Sequence, residues 1–193
     1  MMRTGPPTDG LHAAGGEVYA HLFENVSAGI PRRLYWAVSV RFEPVQFAGA
    51  ERTCSMACEW IPWDIRDWRQ LDGKHLHVAY GDDGVESSFY VGEHHPGEHV
   101  RLWLARRAGF EFALRMEMTV CFEGCLGKDR DATLPVSAET TVPFTGVIVV
   151  PESLEPRPSG AEEIAGVCAP FVDLRCYHEP ELREHAYVLK PKL

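Results

Sequence analysis

The chain reads as a mainly β protein, with α+β as the alternative class: a curved antiparallel sheet, sandwich or barrel carrying one or two short helices. Three observations predict this. Apolar and polar residues alternate with period two in segment after segment, most clearly Phe110, Phe112, Leu114, Met116, Met118, Val120 and Phe122 against Glu111, Arg115 and Glu117. Turn residues punctuate these segments at short intervals. The helical crossovers that a parallel sheet requires are missing between them. A long strand with one apolar and one charged face belongs to an antiparallel sheet wetted on one side.

Taken in order, residues 1–16 form a loose tail without an apolar run behind their single Arg, and 17–193 form one domain. Val18, Leu22, Phe23 and Val26 then follow a short helical pattern that Gly29 and Pro31 close. Leu34, Trp36, Val38, Val40 and Phe42 alternate with Tyr35, Ala37, Ser39 and Arg41 as a strand. Pro44 marks an edge or a bulge because proline cannot donate to a sheet ladder. A strand from Arg52 to Trp60 leads into an irregular aromatic segment that ends at Asp72-Gly73. Its Trp60, Trp63 and Trp68 suit a core more than a ligand pocket, since large aromatics dominate ordinary cores.

From His75 onward successive antiparallel strands are expected. "KHLHVAY" and "VESSFYVG" form a hairpin about "GDDG", and Pro96-Gly97 makes the next turn. "VRLWLARR" joins the long strand 110–122 through Ala108-Gly109, and "TTVPFTGVIVVP" adds another. The proline-rich "PESLEPRPSG" is a surface loop. Behind it Ser159 and Glu162 have the spacing of a capping box for a helix carrying Ile164, Val167, Cys168 and Phe171 on one face, with Pro170 near its end. "FVDLRCY" and "AYVLKP" complete the chain as two terminal strands.

Composition narrows the function classes. The hydrophobic share of 45% is that of a folded globular protein, and no apolar run approaches the roughly 20 residues that span a bilayer. A soluble, cytoplasmic protein is expected. The net charge of −9 repels phosphate backbones, so nucleic acid is not an expected ligand, whereas a basic protein would be steered in. The same charge also serves solubility. Six cysteines without an export signal are expected as reduced, buried thiols; Cys54/Cys58 and Cys121/Cys125 share a spacing that zinc sites use, but on a strand such pairs stand roughly 13 Å apart. Nucleophile-elbow, P-loop, metalloprotease-helix and dinucleotide-fingerprint motifs are not found.

Residues 73–101 hold five of the nine histidines. On a strand His75 and His77 share a face, His94, His95 and His99 return after the next strand, and Glu86 lies between. "HLH" at 75–77 and "PGEH" at 96–99 resemble the two metal-binding motifs of the cupin family over fewer than 30 residues, with one residue between Gly73 and His75 where that family has five. The resemblance implies a metal-dependent jelly roll with His75, His77, Glu86 and His99 around one Zn, Fe or Mn ion. The other reading makes these histidines polar residues of a solvent-facing ribbon, with no cofactor.

Acidic residues make the second constellation. Asp82, Asp83, Glu86 and Glu93 cluster near hairpin ends, while residues 151–185 hold eight acids, among them Glu179, Glu181 and Glu184, against three arginines. The expected function is therefore a non-enzymatic binding protein that meets a basic partner through Asp82, Asp83, Glu86, Glu93, Glu179, Glu181 and Glu184, as an immunity protein or inhibitor does. The alternative is the small cupin-like metalloenzyme. Sheet edges offer a route to homo-oligomers.

Overall fold

The computed structural model describes residues 10–47, 49–79, 84–122 and 132–193. Among them are ten strands: β1 Ala13–Asn25, β2 Ile30–Phe47, β3 Ala50–Ile61, β4 His75–Val78, β5 Glu86–Val91, β6 His94–Arg106, β7 Glu111–Phe122, β8 Ala132–Val149, β9 Glu181–Arg183 and β10 Ala186–Leu189. One α-helix, α1, spans Ala161–Cys168. The strand order β1-β2-β3-β5-β6-β7-β8 is an antiparallel meander whose ends meet through a β1–β8 pairing, giving a closed seven-stranded barrel. The mainly β expectation holds, in its barrel form.

An odd number of strands dictates the character of the seam. Each strand of a meander reverses the last, so the first and seventh run the same way and can close only in parallel. Val18 is opposite Phe144, then Tyr19 opposite Gly146 and Leu22 opposite Val149 in parallel register. Thr145 is the extra residue at the shift, and its hydroxyl donates to the Val18 carbonyl at 3.3 Å and to the Glu17 carboxylate at 3.2 Å. Gly146, at φ +131°, lets the Leu189 carbonyl approach to where a Cβ would meet it at 2.5 Å. Gly16 on β1 does the same for the Ser39 carbonyl, 2.3 Å from a Cβ built there.

The inward faces supply one core. Val18, Ala20 and Leu22 of β1, Trp36, Val38 and Val40 of β2, and Phe112, Leu114, Met116 and Met118 of β7 are all buried. Trp68, in the 3-10 turn Trp68–Leu71, enters this core against Phe110 and Phe144, with ring centroids 5.1 and 6.3 Å away. The guanidiniums of Arg69 and Arg106 lie 4.6 and 4.8 Å from its centroid, so two cations cap the ring by cation–π attraction. Near the other end Phe42, Phe89 and Phe122 pack in sequence, and His95 lies 4.7 Å from Phe122.

Several expectations are corrected. The segment read as a helix from Val18 is strand β1: positions 18 and 22 share a face at either period, and Ala20, buried between them, fits only period two. Ala13 to Gly16, expected in the loose tail, already belong to β1. The strand at "KHLHVAY" does not pair with "VESSFYVG"; β4 pairs β6 from His75–Trp103 to Val78–Val100, while β5 pairs β3. The turn after β5 falls at Gly92, φ +78°, with Pro96 and Gly97 inside β6. The N-cap of α1 is Gly160, and Glu163 instead of Glu162 reaches back, accepting from the Ser159 amide at 2.7 Å and its hydroxyl at 3.1 Å. "FVDLRCY" contains a 3-10 turn, Leu174–Cys176, in place of a strand.

Pro44 sits as expected beside a bulge, in the register shift between Phe42 and Val45. Among the described residues, closure leaves β4 and β9 as strands bonded on one side only, so these sheet edges are short. Among the described residues no helix is long and apolar enough to cross a membrane.

Gly146→Ala and Gly16→Ala should each lower unfolding stability by about 2 kcal/mol or more, because backbone atoms occupy the space a methyl needs. Gly166→Ala, inside α1 with open space about it, should raise stability by about 0.5–1 kcal/mol. Urea unfolding of the three variants checks both signs.

Candidate functional site

The outer face of β1, β2, β3 and β5 carries an aromatic cluster beside a facing pair of carboxylates. Along β3 the inward residues are Cys54, Met56 and Cys58, and the next inward residue is Ile61. That odd step is a bulge: Trp36 pairs Ile61 and Val38 pairs Cys58, leaving Glu59 and Trp60 opposite Ala37 alone. Trp60 adopts φ +61°, a left-handed conformation that costs a side chain-bearing residue about 1–2 kcal/mol. The consequence is an indole turned out of the barrel.

There it meets three rings from two neighbouring strands. Its centroid lies 4.8 Å from His21, 5.0 Å from Phe23 and 5.3 Å from Tyr35, all in edge-to-face contact. Edge-to-face pairs of this kind contribute roughly 0.5–1.5 kcal/mol beyond burial, enough to offset the backbone cost. The Tyr19 hydroxyl donates to Glu59 at 3.1 Å. Burial and the Glu59 carboxylate push the Tyr19 phenol well above its ordinary range, so it remains a donor. Burial holds the His21 imidazole below its usual value, partly opposed by Glu59.

Glu59 stands directly across the β3–β5 ladder from Glu86. Like charges in that position cost a few tenths to about 1 kcal/mol. Among the described residues neither carboxylate has an ion-pair partner, and Glu59 has the Tyr19 hydroxyl as a donor. Beside them opens a cleft of about 460 Å³, bounded by Glu59, Glu86, His94, Glu98 and His99. It lies where β6 passes from β5 to β4, at a bulge in which His99 takes φ +50°.

The residues expected to hold a metal are thus divided. Glu86 and His99 share the cleft, whereas His75 and His77 are exposed on β4, opposite Trp103 and Arg101, and do not line it. Among the described residues no three His, Cys, Asp or Glu side chains come together as a metal-binding group. The cupin-like set is not assembled, because β4 and β5 occupy successive stretches of one edge of β6 and do not pair with each other.

The acidic set divides as well. Glu86 is in the cleft and Glu93 is exposed at the β5–β6 turn, while Glu179, Glu181 and Glu184 lie on or beside β9, beyond β6, β7 and β8 in strand order. Glu181 is engaged by Lys190 and Arg183 at 3.2 and 3.1 Å, which holds its carboxyl below the usual range. Asp82 and Asp83 lie outside the described residues. Cys54, Cys58 and Cys168 are buried free thiols whose pKa burial pushes up to about 12, so they pack as apolar groups. Cys125 lies outside the described residues.

His21 and His95 are both favoured as neutral imidazoles by burial. The unfolded chain therefore binds more protons than the folded one below the ordinary histidine value. The stability they contribute is complete above about pH 6.5 and declines as pH falls below it. The urea midpoint should drop between pH 7.5 and 5.5, and His21→Gln or His95→Gln should make that drop shallower. Comparison of the chain with protein-family models, with curated proteins and with solved structures finds no match.

Proposed function

We propose that this protein is a non-enzymatic binding protein that receives a basic protein partner on the outer β1–β2–β3–β5 face, in the manner of an immunity protein or inhibitor. The observation that carries the reading is Glu59 facing Glu86 with no ion-pair partner among the described residues, next to an indole held outward at a backbone cost. Local strain and unrelieved like-charge contact concentrate at sites that a partner completes. A Lys or Arg from that partner relieves the carboxylate pair, and the exposed parts of Trp60 and Tyr35 provide the aromatic area in which interface energy concentrates. The net charge of −9 speeds the encounter with a basic surface. A cytoplasmic setting, in which buried thiols stay reduced, suits this reading.

The test is co-purification of the full chain with a basic partner from its own cells, followed by measured affinity for that purified partner. The complex should weaken at least tenfold between about 0.05 and 0.5 M salt, since exposed charge pairs are screened. Glu59→Gln with Glu86→Gln should weaken it comparably while raising the stability of the free protein. Trp60→Gly, which relieves the left-handed backbone, should keep the fold and lose about tenfold or more in affinity. A complex indifferent to salt and to all three substitutions overturns the reading, as does the lack of any basic partner.

A further inference from the structure

A second cleft, over β6 and β7, has a charged lining made chiefly of cations. Lys74, Arg107 and Arg115 border a cleft of about 490 Å³, with Glu139 as the one carboxylate in its lining. Arg115 is already engaged, by Glu117 at 2.5 Å and Glu139 at 3.4 Å. The side chains of Lys74 and Arg107 have no acidic partner among the described residues. Both border the same cleft, so an anion entering it meets two cations that no described carboxylate pairs with.

Its floor and wall are equally specific. Ala105 of β6 pairs directly with Ala113 of β7 on the outer face, the buried Leu104 and Leu114 pointing the other way. Alanine is depleted in strands because it offers little to pack, so two in register leave a slot. The next outward row begins with Trp103, 39% exposed, one of the few large apolar side chains exposed among the described residues. The Arg115 guanidinium lies 5.3 Å from its ring centroid and steadies the indole.

We propose that this cleft binds a nucleoside monophosphate. The heterocycle stacks on Trp103 over the alanine floor, every base having a π-face that an indole can take. Lys74 and Arg107 receive the phosphate as charge-assisted donors. The Glu139 carboxylate accepts from an exocyclic amine of the ring. A polymer would bring a long phosphate backbone against a negative molecule, whereas one phosphate feels chiefly the cations within a Debye length of roughly 8–10 Å. The volume falls within the range of small-ligand clefts, about 300–1,000 Å³. This site is separate from the acidic face and does not depend on the function proposed for it.

The experiment is calorimetric titration of the full chain with AMP, with adenosine and with inorganic phosphate. AMP should bind saturably, and adenosine at least tenfold more weakly. Trp103→Ala should weaken AMP at least tenfold; Lys74→Gln with Arg107→Gln should weaken AMP tenfold while leaving adenosine unchanged. Should a variant fail to fold, the indole N–H resonance of Trp103 in the wild-type protein, identified with Trp103→Phe, should shift as AMP is added. Lack of saturable AMP binding, phosphate binding as tightly as AMP, or an unmoved Trp103 resonance overturns the proposal.

Discussion

The parallel seam between β1 and β8 is the constraint on which the rest of the barrel depends. Antiparallel neighbours along a meander need only tight turns, but a seven-membered ring has a frustrated last contact that must run parallel. The register shift at Thr145, whose hydroxyl donates to the Val18 carbonyl across the seam, accommodates that contact. Because the seam joins the first described strand to a late one, it is also the contact of longest sequence separation in the ring. Loop-closure entropy grows with that separation, so the seam carries the largest such cost of any pairing in the ring.

Closure then forces the local irregularities that give the outer surface its chemistry. A closed barrel curves more than an open sheet, and bulges supply curvature by inserting a residue that the partner strand does not match. The β3 bulge reverses the phase of the strand, so Ile61 stays in the core and Trp60 leaves it. At the β6 bulge the strand turns away from β5 toward β4 and opens the cleft beside Glu86. Curvature and candidate site are consequences of the same inserted residues.

The two clefts differ in local charge. Glu59 and Glu86 oppose each other at one, while Lys74 and Arg107 at the other have no ion-pair partner among the described residues. Each arrangement forgoes an internal ion pair. Surface pairs contribute little, so forgoing one costs the fold at most about 1 kcal/mol, and a charge left open remains available to a ligand of opposite sign. The thiols show the contrary economy: buried in the core and held protonated, Cys54, Cys58 and Cys168 have packing as their role.

Period-two alternation by itself determined that the chain is mostly strand and that β2 and β7 each have one buried face, because a side chain's face on a strand is a local property, while the missing N–H of Pro44 pointed to an edge or a bulge. The same alternation misread β1, where Val18 and Leu22 satisfy two periods and only the flanking strands choose between them. Partner choice was likewise a tertiary matter: β4 passes over β5 for β6, which scatters the histidines that stand close in sequence. Tyr19, His21, Tyr35, Glu59 and Trp60 come from three strands, and no short motif joins them. A trace of their site was legible in the odd step from Cys58 to Ile61. What that step meant depended on register across the sheet, which is set by packing between strands and is not a property of any one of them.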